Sequence, residues 1–278
     1  MENMTLDEKR SRLDARLREL GRIVVAYSGG VDSAFLLLAA TEVLGPENAV
    51  GVTAESPSLP ASELEECRRL AREHGLTHEI IQTHEGDDPR YVANPADRCR
   101  FCKSALFSEL VPWASERGFN WVASGTNADD TGDWRPGMRA AEEHGIIHPL
   151  LEAGLTKDDV RALARAAGLD IWDKPAAACL ASRFPYGVEV TPERLAMVER
   201  AEDFLRREVG LRQVRVRWSD GAARIECDPA EMPLVFERRG DVTECLTAIG
   251  YTGVSLDLRG YRMGSLNEGL VQIQSASR

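Results

Sequence analysis

Ser28, Gly29, Gly30, Asp32 and Ser33, within the stretch YSGGVDS, bring two small backbones, two hydroxyls and one carboxylate into six positions. Glycine lets a backbone come close to a ligand and permits positive φ. The serines add hydroxyl donors, and Asp32 can hold a magnesium ion against phosphate oxygens. An apolar run, residues 23–27, leads into the stretch, and a denser one follows it to Leu44, where Gly45-Pro46 stops it. The order is therefore strand, loop, helix start. Open N–H groups and the positive end of the helix dipole face whatever the loop holds, so the expected occupant is an anion. Residues 28–33 read as a phosphate cradle. The cradle lacks the Gly-Lys-Ser/Thr ending of a Walker loop and the three spaced glycines of the dinucleotide fingerprint.

The cysteines are the second set of residues that could do chemistry. Cys99 and Cys102, in RCRFCK, point the same way on one helical turn. That is the spacing of iron–sulfur or zinc ligands and of dithiol redox pairs. Cys179, in DKPAAACLASRFPYG, falls in a loop beside Ser182 and Arg183. A neighbouring arginine favours thiolate, so Cys179 can be a nucleophile, a sulfur donor or a metal ligand. A structural zinc would want a fourth ligand, and none is evident. Cys67, Cys227 and Cys245 lie in helix and strand patterns and read as small buried hydrophobes.

The elements that must position these groups alternate along the chain. Strand patterns at 23–27, 49–54, 78–82 and 121–124 are separated by helical ones, the pattern of a parallel sheet covered on both faces. Residues 1–188 are expected to form a doubly wound α/β domain. After PYGVEVT the register changes: Thr191 and Pro192 open a helix, RQVRVRW and AARIEC form a hairpin across SDG, and a helix and a last strand follow. Residues 189–278 are expected to be a smaller α+β domain.

Within that domain, Glu202 falls on the apolar stripe of Leu195, Val198, Leu205 and Val209, where a carboxylate must be paired or functional. Arg215 and Arg217 share one strand face, and Arg224 and Glu226 share a face on the hairpin partner. Spacing alone favours cross-strand ion pairs there.

At 278 residues and 43% hydrophobic, the chain can bury a sizeable core. Its net charge of −11 disfavours a nucleic-acid partner, which would call for a basic surface. No apolar run approaches the ~18 residues of a membrane helix, and the opening MENMTLDEKR lacks the core of a signal peptide. A cytoplasmic location is expected, where thiols stay reduced.

S-G-G-x-D-S after a strand resembles the PP-loop of the N-type ATP pyrophosphatases, which cut ATP between the α- and β-phosphates and adenylate a substrate. The resemblance extends to GTNADD, with Gly125 and Asp129, and to HPLLEAGLTKDDVRALARAAGL, residues 148–169. Together, residues 173–187, RQVRVRWSDGAARIE and SLDLRGYRMGSLNE resemble the LarE family of ATP-dependent sulfur transferases over nearly the whole chain. That likeness implies ATP, Mg²⁺ and a substrate, pyridinium biscarboxylic acid mononucleotide, whose thiocarboxylate is a precursor of the nickel-pincer nucleotide cofactor. It implies an arginine pair, Arg215 and Arg217, for the substrate's phosphate or carboxylates, with Glu202 and Glu226 nearby and Ser182 and Arg183 beside Cys179. One branch of the family sacrifices the sulfur of a cysteine equivalent to Cys179 and lacks the C-x-x-C. This sequence resembles the other branch, in which three cysteines, here Cys99, Cys102 and Cys179, hold a 4Fe–4S cluster that carries sulfide. A homo-oligomer is expected by the same likeness. Two alternatives stand beside this reading: tRNA thiolation by a cluster-dependent PP-loop enzyme, and a nucleotide-binding regulatory protein with a vestigial site.

Overall fold

Strand β1 (Ile23–Ala26) is apolar at every position, and the reason is that both of its faces are covered. Ile23 and Val25 point into a core built with Leu13 and Leu17 of helix α1 (Leu6–Leu20) and Phe35 of helix α2 (Val31–Leu44). Val24 points the other way, into a core with Phe107 and Leu110. The computed structural model describes residues 4–132, 136–175 and 178–262. Ala176 and Ala177 of the Cys179 segment, and residues 263–268 of SLDLRGYRMGSLNE, lie outside them.

The chain forms two compact units, one of residues 1–88 and 97–177, the other of 89–96 and 178–278. In the first, β1 is joined by β2 (Ala49–Glu55), β3 (Thr77–Gln82) and β4 (Trp121–Ala123) in the order β3-β2-β1-β4. All three pairings are parallel, so the expected doubly wound α/β sheet is present. Helix α3 (Ala61–Glu73) follows β2, and α4 (Arg98–Glu116) precedes β4. Ile147 adds a parallel bridge beside Ala123, beyond α5 (Pro136–Glu143). Helix α6 (Lys157–Ala166) opens on a capping box, with Thr156 and Asp159 each satisfying the other's backbone N–H.

The second unit holds a three-stranded sheet in the order β5-β6-β7. Helix α7 (Pro192–Arg207) has Thr191 as its N-cap, accepting from the Arg194 N–H, with proline in the first turn. Strands β5 (Val214–Ser219) and β6 (Ala222–Cys227) form the expected hairpin, with Asp220 and Gly221 at positive φ in its turn. Helix α8 (Arg239–Ile249) and β7 (Val254–Leu256), parallel to β6, complete it. A remote segment belongs to this unit. Asn94, fully buried and at a φ of 52°, donates from Nδ2 to the carbonyls of Pro185 at 2.8 Å and Val188 at 2.9 Å. Its own carbonyl accepts from Gly187 N–H, and Val92 O accepts from Val190 N–H. Among the described residues no helix is long and apolar enough to cross a membrane.

Candidate active site

In the first unit the chain runs outward from β1 through β2 and β3, then crosses to the other side of β1 at β4. Ligands bind at such a switch point, outside the carboxyl ends of the strands. A cleft of about 250 Å³ opens there, lined by Ser28, Gly30, Asp32 and Ser33 after β1 and by Ser124, Gly125 and Thr126 after β4.

Local chemistry explains the loop. Gly29 sits at a φ of 71°, and a Cβ there would lie 2.7 Å from Cys67 Sγ on α3. Both its handedness and its neighbour demand glycine. A Cβ on Gly125 would lie 2.7 Å from Ser33 N and 3.0 Å from the Asp32 carbonyl carbon, because the β4 loop rests against the start of α2. Ser33 Oγ accepts from Ser28 N–H at 3.2 Å and donates to Gly30 O at 3.1 Å, so one of the two serines folds the cradle on itself. No side chain caps α2 at Gly30, which leaves its first N–H groups toward the cleft.

Asp32 is held by Lys157 Nζ in an ion pair, and by Asn127 Nδ2 at 3.2 Å. Asp129 accepts from the Lys157 backbone N–H at 2.8 Å, docking the start of α6 so that its first side chain reaches the cradle. Neither Lys157 nor Asn127 was singled out by the sequence, although both lie in the quoted segments. The Thr156–Asp159 capping box is the local signal that puts Lys157 on the first turn of α6. Lys103, one residue past the C-x-x-C, also lines the cleft, over the Phe107 ring at 5.8 Å. Magnesium fits this donor set: Asp32 already attracts a cation, and Mg²⁺ in nucleotide sites commonly takes one or two carboxylates, with phosphate and water completing its shell.

Cys99 and Cys102 lie three residues apart at the start of α4, Cys99 exposed and Cys102 half-buried. Cys179, half-buried, belongs to the second unit. Thiolates suit an iron–sulfur cluster, and the C-x-x-C turn supplies two of the three. Among the described residues, no group of three His, Cys, Asp or Glu side chains is gathered that could hold a metal.

In the second unit Cys179 occupies the N-cap position of a 3₁₀ turn, Leu180–Arg183. Arg183, 1% exposed, donates from Nη1 to the carbonyls of Ala178 at 2.7 Å and Cys179 at 2.9 Å, and to Ser182 Oγ at 3.0 Å. Its Nε and Nη2 form a two-pronged pair with Glu202 at 2.8 and 2.9 Å. Glu202 also accepts from Arg206 at 2.6 Å and from Val216 N–H at 3.0 Å. Burial alone would raise its pKa, but Arg183, Arg206 and that N–H hold it below the ordinary carboxylate range. The stripe carboxylate is thus paired, and the pair pins the backbone on both sides of Cys179.

The two strand arginines differ. Arg217 donates to Glu226 at 2.9 Å and to Ser182 O at 2.8 Å, and Arg224 also reaches Glu226, at 3.2 Å. Arg215 meets no carboxylate among the described residues. It donates to Val214 O at 2.9 Å and stacks over Tyr261 at 5.4 Å. Burial, with the like charge of Arg183 nearby, lowers its pKa. A half-buried guanidinium in that state is a ready anion site.

No protein-family model matches the chain. An uncharacterized protein of Synechocystis sp. is 45% identical over 269 residues, which is 96% of this chain and 100% of that protein. Pyridinium-3,5-bisthiocarboxylic acid mononucleotide synthase of Lactiplantibacillus plantarum is 38% identical over 275 residues, 98% of this chain and 99% of that protein. A tRNA-specific 2-thiouridylase of Rickettsia africae is 26% identical over 192 residues, 55% of this chain and 52% of that protein.

Proposed function

We infer the reaction from one premise: the chain belongs to the LarE family of PP-loop enzymes, ATP-dependent sulfur transferases. We propose that it converts a carboxylate of pyridinium biscarboxylic acid mononucleotide into a thiocarboxylate for nickel-pincer nucleotide synthesis. A substrate carboxylate oxygen attacks the α-phosphorus of ATP and pyrophosphate leaves. Hydrosulfide then attacks the acyl carbon, AMP leaves with its electron pair, and one proton is released. The observation that carries this reading is the cradle of residues 28–33 at the sheet's switch point, with Asp32 facing the cleft.

The chain's own residues bind and orient. The N–H groups at the start of α2 take phosphate oxygens; Asp32 would hold Mg²⁺, which would supply charge neutralisation at the phosphates, and Lys157 would then be free to meet a phosphate oxygen. Arg215 receives the substrate's phosphate or a carboxylate, while Arg217 stays tied to Glu226. Arg183 and Glu202 are positioning residues for the Cys179 loop. A 4Fe–4S cluster on Cys99, Cys102 and Cys179, with one iron lacking a protein ligand, would carry the sulfide.

Two measurements test this. Pyrophosphate release from ATP is expected on addition of the mononucleotide and not of tRNA, and Asp32→Ala is expected to abolish it while leaving the fold intact. Undiminished release in that variant overturns the nucleotide assignment. Protein prepared without oxygen is expected to be brown, to lose multiple turnover with added sulfide in Cys99→Ala and Cys102→Ala, and to retain an intact Cys179 by mass. A colourless active protein whose Cys179 peptide has lost the mass of hydrogen sulfide places the chain in the sacrificial branch instead.

A further inference from the structure

Three side chains, two of them in the wall of the cleft, form a line. The parallel bridge between Ala123 and Ile147, with Ser124 N–H donating to Ile147 O at 3.0 Å, brings residues 124 and 148 side by side. His148 Nδ1 lies 2.8 Å from Ser124 Oγ, and Ser124 Oγ lies 2.8 Å from Thr126 Oγ1. Thr126 in turn directs its hydroxyl at Met138 Sδ, 3.8 Å away across the cleft lining. Either oxygen of the Ser124–Thr126 pair can be the donor, and the role of His148 Nδ1 follows its tautomer. With the Thr126 hydrogen on the sulfur, Thr126 accepts from Ser124, Ser124 accepts from His148 Nδ1–H, and the line runs from the ring to the cleft.

We propose that His148 is a positioning residue that, through Ser124, fixes the Thr126 hydroxyl as a donor to an acceptor oxygen of the bound nucleotide. The inference rests on the cleft's being the ATP site. A thioether is a weak acceptor, so Thr126 holds its hydrogen against Met138 only until a phosphate or ribose oxygen offers a better one. The donor is set before the ligand arrives, and binding asks only that the Thr126 O–H swing from the sulfur to that oxygen. Burial holds His148 below the ordinary imidazole range against the pull of Glu152, Glu142 and Asp130. At neutral pH the ring therefore carries a single hydrogen, and its position on Nδ1 or Nε2 decides whether Thr126 points at the ligand or back at Ser124.

The test uses the full chain, Mg²⁺ and α,β-methylene-ATP, with titration calorimetry and ¹⁵N NMR of the histidine ring. His148→Ala and Thr126→Val are each expected to weaken binding about two- to tenfold, the size of one hydrogen bond. The double variant is expected to be no weaker than Thr126→Val alone, because both changes remove the same bond. His148→Asn, whose amide N–H can replace Nδ1–H, is expected to recover what His148→Ala loses, and the ring signals should show the Nδ1–H tautomer. Losses that multiply, unaltered binding in His148→Ala, or the Nε2–H tautomer overturn the relay while wild-type binding stands. Wild-type protein that fails to bind the analogue overturns the nucleotide reading, and this inference with it.

Discussion

Arg215 and Arg217 stand two residues apart on β5, yet the same substitution should do opposite things to them. Removing Arg217 leaves Glu226, fully buried, without its best partner, and breaking a buried pair from one side costs about 3–5 kcal/mol. Arg217→Ala is expected to lower the melting temperature by many degrees. Arg215 carries a guanidinium that burial and Arg183 already disfavour, so Arg215→Ala should leave that temperature unchanged or raise it. Its cost should fall on the substrate, about 1.5–3 kcal/mol per lost charged hydrogen bond, or roughly ten- to a hundredfold in mononucleotide affinity. Thermal unfolding and calorimetry on the two variants check this. A stability loss confined to Arg215→Ala would reverse the assignment.

At the scale of elements, the strand-loop-helix of residues 23–44 was legible because each of its signals is local: an apolar run, two glycines, an acid and a second apolar run. Lys157 was not, since it reaches Asp32 from 125 positions away, and nothing in the period of α6 marks its first side chain as a partner of the cradle. Glu202 stood out as a carboxylate on an apolar stripe, but its partner Arg183 comes from an aperiodic turn 19 residues earlier. Pairing on the hairpin was legible only in kind. The register sets Arg215 opposite Glu226, yet the ion pair runs diagonally from Arg217. Gly125 shows the same limit, for its need of glycine comes from a distant helix start and not from its own φ. Gly125→Ala should therefore open the cleft, costing about 1–3 kcal/mol by overpacking, with a matching loss of ATP affinity. Wild-type affinity in that variant would show that the β4 loop yields without moving the cradle.

For the molecule as a whole, two buried titratable groups make acid destabilising. Burial, with Arg68 adding repulsion, pushes His78 down to about 4, while its ring donates to Thr53 Oγ1 at 2.8 Å. The unfolded chain takes up that proton near pH 6.5, so the contribution is complete above 6.5 and is lost as pH falls toward 4. Glu202, held below its ordinary value, adds stability present above about pH 4.5 and lost below it. Melting temperature is expected to be level from pH 8 to 7 and to decline below 6.5, with His78→Asn flattening the upper part of that decline. An unchanged slope in the variant would remove His78 from the account. The placement of Asn94 governs something else, the order in which the chain can mature. Residues 89–96 leave the ribosome more than 90 positions ahead of the carbonyl of Val188, so the second unit cannot close until the chain beyond Val190 has emerged. A nascent or truncated chain ending at 177 carries Asn94 with none of those partners, and a fragment beginning at 178 leaves the same carbonyls unmet. Neither unit can be lifted out by one cut, and a gene fusion that borrows either must splice around the strap at 89–96.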